Sequence, residues 1–226
     1  SPEAIIALWP EWFYRPQPDW PGNVQLCGFP LCDGADGSPL SEDVSRFLDA
    51  GEAPVIFTPG TLNRHARKFF AAAVESCQRL KVRGMLISRY RELVPEKLPP
   101  GVEYFSHVPF NQLLPRARAM VHHGGTGTSA LCLAAGLPQV VVPLSFSQPD
   151  IATRLVRLGV AREVRLGWFN GRRLSAALEH VLSSSEVARR CRELADEVGS
   201  STAFEAAADV VTESMLRRRG ELVAGR

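Results

Sequence analysis

No apolar run among the 226 residues is long enough to cross a bilayer, so no segment reads as a membrane span. A secretory leader is not expected either. Excess charge is missing: a formal net charge of +2 is too small to argue for a nucleic-acid partner. Lysine is scarce, 3 against 23 arginines, and composition alone does not make that a phosphate preference. Arg217, Arg218 and Arg219 form the one tight basic run, read as the solvated end of a helix, where cations suit the dipole. The five cysteines, Cys27, Cys32, Cys77, Cys132 and Cys191, are odd in number and form no CxxC pair. Three of them sit in apolar helical patterns, which points to buried thiols and a reducing, cytoplasmic compartment. GxSxG, HExxH and GxxxxGK[ST] are absent. In "DGADGSPLSED" the third and fifth positions of a calcium loop would be Ala35 and Gly37, which cannot ligate through side chains.

What is present fits a soluble globular chain: 45% hydrophobic and 22% charged residues, with length for one large domain or two small ones. The opening "SPEAIIALWPEW" starts in mid-pattern, as a cut through a longer chain would, and "FYRPQPDWPGN" reads as loop. "VQLCGF" reads as a short strand. "SEDVSRFLDAG" has a capping Ser41, acids in its first turn and a stop at Gly51, which predicts a short helix.

Beyond that point strands and helices alternate. "PVIFTPG", "RGMLIS", "VEYFSHV", "AMVHH", "PQVVVP" and "VAREV" read as strands. Between them lie a helix capped by Asn63, a short helix near "NQLLPRA", and helices over "TSALCLAA" and "QPDIATRLVRL". Helices over 174–182, 186–198 and 202–219 follow. Continuous apolar strands alternating with helices imply an α/β fold, a doubly wound Rossmann-like parallel sheet of about six strands with C-terminal helices. The usual strand order of such sheets is 3-2-1-4-5-6, which makes the first and fourth strands neighbours at the ligand-binding switch point. "TPGT" and "HHGGTGT" should therefore meet, although about sixty residues separate them.

"HHGGTGTSALCLAAG" places two histidines and three glycines directly before a helix. A helix N-terminus presents unpaired N–H groups and partial positive charge, which suit phosphate. Glycine lets the backbone approach the anion, and Thr126, Thr128 and Ser129 add hydroxyls. Strand alternation allows only one of His122 and His123 to face the ligand. The bland alternative is a tight glycine turn beside two satisfied core histidines. A nicotinamide site fits poorly, because the spacing is not GxGxxG and no acid ends "PQVVVP".

The stretch from Val121 to Ala161 resembles the donor-binding signature of GT-B-fold nucleotide-sugar glycosyltransferases, in particular bacterial UDP-glucosyltransferases acting on sterols and macrolides. "FLDAGEAPVIFTPGT" and "VEYFSHVPFNQLLPRARAMVHHGG" are similar to further segments of that family's C-terminal domain, so nearly the whole chain is covered. The resemblance divides the chain into a lead-in over 1–52 and a donor-binding domain over 53–226.

It also implies roles. His123 contacts the diphosphate, Gly125, Gly127 and Thr128 cradle it, and Thr61 sits near phosphate and sugar. His107 stands where an aromatic usually stacks on uracil, and Val108 pairs the base edge through its backbone. Gln148 binds sugar hydroxyls, while Ser147 replaces the usual acid of that pair. Asp150 either compensates or caps the following helix, a use that suits an acid in a first turn.

The expectation is the donor half of an inverting transferase that moves a hexose from a UDP- or dTDP-sugar to a hydroxyl of a lipophilic acceptor. No metal or other cofactor is needed. The acceptor and the general base would belong to an N-terminal domain outside this chain, leaving the chain inactive alone. A lipophilic acceptor leaves room for peripheral membrane contact. The alternatives are a stand-alone nucleotide-sugar-binding subunit with a separate partner chain and a GT-B-fold sugar-nucleotide epimerase.

Overall fold

The computed structural model of the chain describes residues 3–33, 37–60, 66–199 and 202–219. Contacts divide it into two compact units, one of residues 32–196 and one built from both ends, 1–31 with 197–226.

The larger unit is built on six strands: β3 (Val55–Thr58), β4 (Gly84–Ile87), β5 (Val102–Phe105), β6 (Ala119–His122), β7 (Gln139–Val141) and β8 (Ala161–Glu163). Their order is β5-β4-β3-β6-β7-β8 and every pairing is parallel, the predicted doubly wound order. Every residue of β3, β4, β6 and β7 is buried, because helices cover both faces. That is why these strands read as unbroken apolar runs. In register, Thr58 lies opposite His122, so the loops leaving β3 and β6 emerge side by side.

Among the described residues six α-helices lie wholly within this unit: α1 (Glu42–Asp49), α2 (Arg67–Leu80), α3 (Phe110–Leu113), α4 (Thr126–Ala134), α5 (Gln148–Arg157) and α6 (Gly171–Ser183). α2 packs along α6, with the Ser76 hydroxyl, bonded to the Ala72 carbonyl at 2.7 Å, also 3.2 Å from the Gly171 carbonyl, and Phe69 stacks on Phe169 in the loop before α6. Asn63, the expected cap of α2, lies outside the described residues, and the helix starts at Arg67.

The boundary expected at 52/53 is not where the contacts fall. Helix α1, capped by Ser41 as anticipated, belongs to the sheet unit. Arg83 donates to the Glu52 carbonyl at 2.8 Å, Arg116 pairs with Asp49, and Arg118 pairs with Glu52 at 3.3 Å. These bonds reach across more than thirty positions of chain, and no local pattern announces them.

The smaller unit holds two short parallel strands, β1 (Ile5–Ala7) and β2 (Val24–Leu26). β1 falls in the opening stretch, where no strand was expected, since three residues are too few to display a period. Helix α7 (Ser185–Gly199) leads into this unit and α8 (Ala203–Arg219) completes it, where Arg218 pairs with Glu3 at 2.8 Å. No helix among the described residues is long and apolar enough to cross a membrane. All five cysteines are free, and only Cys32 is exposed.

Candidate functional site

A cleft of about 680 Å³ opens beyond the carboxyl ends of β3, β6, β7 and β8. His123 lines it. An added Cβ on Gly60 would lie 2.8 Å from the His123 ring, and one on Gly125 would lie 2.6 Å from its Nε2. The imidazole is thus held between the backbones of the two loops that the sheet order brings together. Gly60 has φ of +89°, a conformation that favours glycine. Gly60→Ala should cost stability and push the ring out of place, which thermal unfolding and histidine side-chain chemical shifts would report.

The two histidines divide their work as strand alternation predicts. His122 is wholly buried. Its Nδ1 accepts from the Gly124 N–H at 3.1 Å, so its proton resides on Nε2, which donates to Gln139 Oε1 at 2.9 Å. Burial pushes this imidazole down to about 3, reinforced by the neighbouring His123 and opposed by Gln139. It is a neutral strut, and it bonds the backbone of Gly124, whose φ is +89°. His123 reaches the cleft. Burial lowers its pKa as well, and its Nδ1 is buried without a partner among the described residues. An orphaned ring nitrogen costs free energy unless water or a ligand satisfies it.

Helix α4 starts beside that ring. Gly125 is its N-cap and supplies no side-chain cap, so the first-turn N–H groups of Thr126, Gly127 and Thr128 stay available to an anion. Thr126 and Thr128 are half-buried and Gly127 is exposed. Ser129 does not add a free hydroxyl: it is buried and donates to the Gly125 carbonyl at 2.9 Å.

The sugar pair expected at 147 and 148 is only partly assembled. Gln148 lines the cleft, but its Oε1 already accepts from the N–H groups of Leu144 at 2.8 Å and Ser145 at 3.0 Å. Only its amide donor is left for a ligand. Ser147 is exposed, caps α5 without a side-chain bond and does not line the cleft. Asp150 is exposed, does not line the cleft, and pairs with Arg154 through both its oxygens at 3.0 and 3.1 Å. His107 is exposed and Val108 is buried in the loop after β5, and neither lines this cleft. Thr61 lies outside the described residues, as does His65. His180 is exposed on α6 and meets Arg162.

Sequence reading missed the apolar rim. Phe69, Phe146, Leu166 and Phe169 line the cleft, and Phe146 is 96% exposed with φ of +55°. A non-glycine residue in that conformation is strained, and an exposed apolar one gains no burial in return. The turn is held by the Gln148 amide, a contact that spacing alone does not reveal. "LGWFN", a cluster of large apolar residues in a loop, was the available signal. Among the described residues no group of three His, Cys, Asp or Glu side chains is placed to hold a metal ion.

A doubly wound parallel sheet whose cleft lies at the central crossover, with a glycine turn feeding an uncapped helix, matches one half of solved GT-B glycosyltransferases. Residues 85–213 match the model of the erythromycin biosynthesis protein CIII-like, C-terminal domain, and the chain belongs to that family. It is 33% identical over 205 residues to O-mycaminosyltylonolide 6-deoxyallosyltransferase of Streptomyces fradiae, covering 88% of this chain and 47% of that protein. It is 30% identical to sterol 3-beta-glucosyltransferase UGT80A2 of Arabidopsis thaliana, over 84% of this chain and 31% of the relative. The chain thus spans less than half the length of either. Among solved structures, the glycotransferase of kitacinnamycin superposes with a TM-score of 0.76 at 27% identity, over 94% of this chain and 55% of the other. CalG4, the calicheamicin glycosyltransferase, superposes with a TM-score of 0.69 at 26% identity, over 99% and 53%.

Proposed function

We propose that the chain binds the donor of a glycosyl transfer, a hexose carried on UDP or dTDP. The observation that carries this reading is His123: a neutral imidazole with an unsatisfied nitrogen, held between two glycines at the mouth of an uncapped helix. A diphosphate placed there would accept from the helix N–H groups and the ring. Both become more favourable as charge builds on the departing nucleoside diphosphate. The acceptor hydroxyl, on a lipophilic molecule, would attack the anomeric carbon in line and invert it. Its proton would go to a base carried by a separate acceptor-binding domain. The contacts invoked here are N–H groups of helix and ring, so the reading invokes no metal. A lipophilic acceptor would also bring the protein to a membrane surface.

The sugar end of the cleft supports a narrower statement. Among the described residues lining it none is Asp or Glu, Gln148 offers a donor only, and phenylalanine and leucine side chains form much of the wall. Such a wall suits a hexose short of hydroxyls. The relative named for a 6-deoxyallose fits that character.

Thermal unfolding with UDP, dTDP and UDP-glucose tests the proposal. A ligand at about a hundred times its Kd stabilises by about 2.7 kcal/mol, so a clear rise in Tm is expected with either diphosphate. EDTA should leave it intact, and UDP-glucose should bind no tighter than UDP. No shift with millimolar UDP or dTDP would sink the donor reading.

A further inference from the structure

One side chain in the cleft breaks a local rule. Lys68 stands in the first turn of α2, next to Arg67, where the helix end is already positive. That turn contains no acid and no side-chain cap. A cation there is unfavourable for the helix, and acids are the usual occupants. Lys68 has no compensating partner: it is exposed and makes no ion pair or hydrogen bond among the described residues. Arginines elsewhere are in many cases paired, as Arg79 is with Glu75 at 2.7 Å on the same helix.

Its position gives the exception a use. Lys68 lines the cleft together with Gly60 and His123, and no carboxylate lines it among the described residues. α2 follows β3 and α4 follows β6, the two strands paired at the centre of the sheet. A phosphoryl group at His123 would therefore meet α4 from one side and the α2 turn from the other. His123, on the same wall, has an Nδ1 without a hydrogen-bond partner among the described residues, which leaves that ring short of one polar contact. Lysine suits it as a flexible point charge that can follow a phosphate oxygen without a fixed geometry.

We propose that Lys68 is a ligand-binding residue of the cleft, its ammonium taking a phosphoryl oxygen of the nucleoside diphosphate from the β3 side. The assignment rests on the donor reading above. It implies that the chain tolerates a poorer α2 terminus when empty because the terminus is completed on binding.

The test is calorimetric titration of the parent chain, Lys68→Gln, Lys68→Arg and Lys68→Glu with UDP, uridine and UDP-glucose, at low and high salt. Lys68→Gln should lose about tenfold in UDP affinity at low salt, as for removal of a charge-assisted hydrogen bond at an exposed site. It should bind uridine as the parent does and show a shallower salt dependence. Lys68→Arg should recover most of the loss. Lys68→Glu should raise the Tm of the empty chain while binding UDP least of all, a combination that a purely structural lysine would not produce. If the parent binds UDP and Lys68→Gln binds it equally well, the assignment is overturned and the donor reading stands. A loss seen with UDP-glucose but not with UDP would also overturn it, by placing the cation at the sugar. If the parent binds neither, both readings fall.

Discussion

His123→Ala loses UDP affinity by roughly ten- to a hundredfold, while uridine binds the mutant and the parent about equally. The size follows from a hydrogen bond to a charged oxygen in a partly buried site, about 1.5–3 kcal/mol. The selectivity follows from placement. The ring lies between Gly60 and Gly125, at the start of α4, and His107 and Val108, the residues assigned to the base, lie outside the cleft it lines. Replacing the ring by a methyl group leaves the helix N–H groups in place, so binding should weaken without vanishing. Calorimetry with both ligands checks it. If uridine weakens as much as UDP, the ring serves the nucleoside or the loop as a whole, and its assignment to the diphosphate is wrong.

His122→Ala acts on the fold. The substitution removes a buried ring and strands the Gly124 N–H and the Gln139 amide, each with its own desolvation cost. Together with the cavity this amounts to about 3–5 kcal/mol, or a fall in Tm of roughly 10 °C. A pH signature accompanies it. The folded pKa, about 3, lies below the ordinary value of 6.5, so between these values the unfolded chain binds a proton that the folded chain does not. Stability from this group is complete above about pH 6.5 and is lost as pH falls, by up to about 1.4 kcal/mol per pH unit. Burial lowers His123 too, and adds in the same sense. Urea unfolding at several pH values should show a steeper acid-side loss for the parent than for His122→Ala. Equal slopes would mean that His122 is protonated in the fold.

The strand order and the meeting of the two glycine loops were legible because they rest on periodicities spanning the chain. Buried parallel strands give unbroken apolar runs, and right-handed crossovers leave few orders to choose from. The separation of His122 from His123 was legible because side chains alternate along a strand. The sugar end was not. Whether Gln148 faces a ligand with its oxygen or its amide depends on a turn only five residues long, closed by backbone N–H groups that carry no sequence identity. Lys68 went unread because a helical apolar pattern absorbs its neighbours Phe69 and Phe70 as core and leaves the lysine as one more surface charge. β1 and the boundary of the sheet unit depend on contacts between distant segments, which no window of sequence contains.

The division of the chain has a consequence for protein engineering. The cleft-bearing unit enters after residue 31 and leaves before residue 197, and the flanking segments share one compact body. Within this chain the cleft-bearing unit is therefore one continuous stretch flanked on both sides by the other unit. A chimera joined at a single point would carry α8 of one parent against β1 and β2 of the other, mismatching the apolar groove formed by Ile6, Val210, Val211 and Met215 and the Glu3–Arg218 pair. Donor preference should move between relatives more cleanly as a cassette with two junctions, one at each crossing between the units.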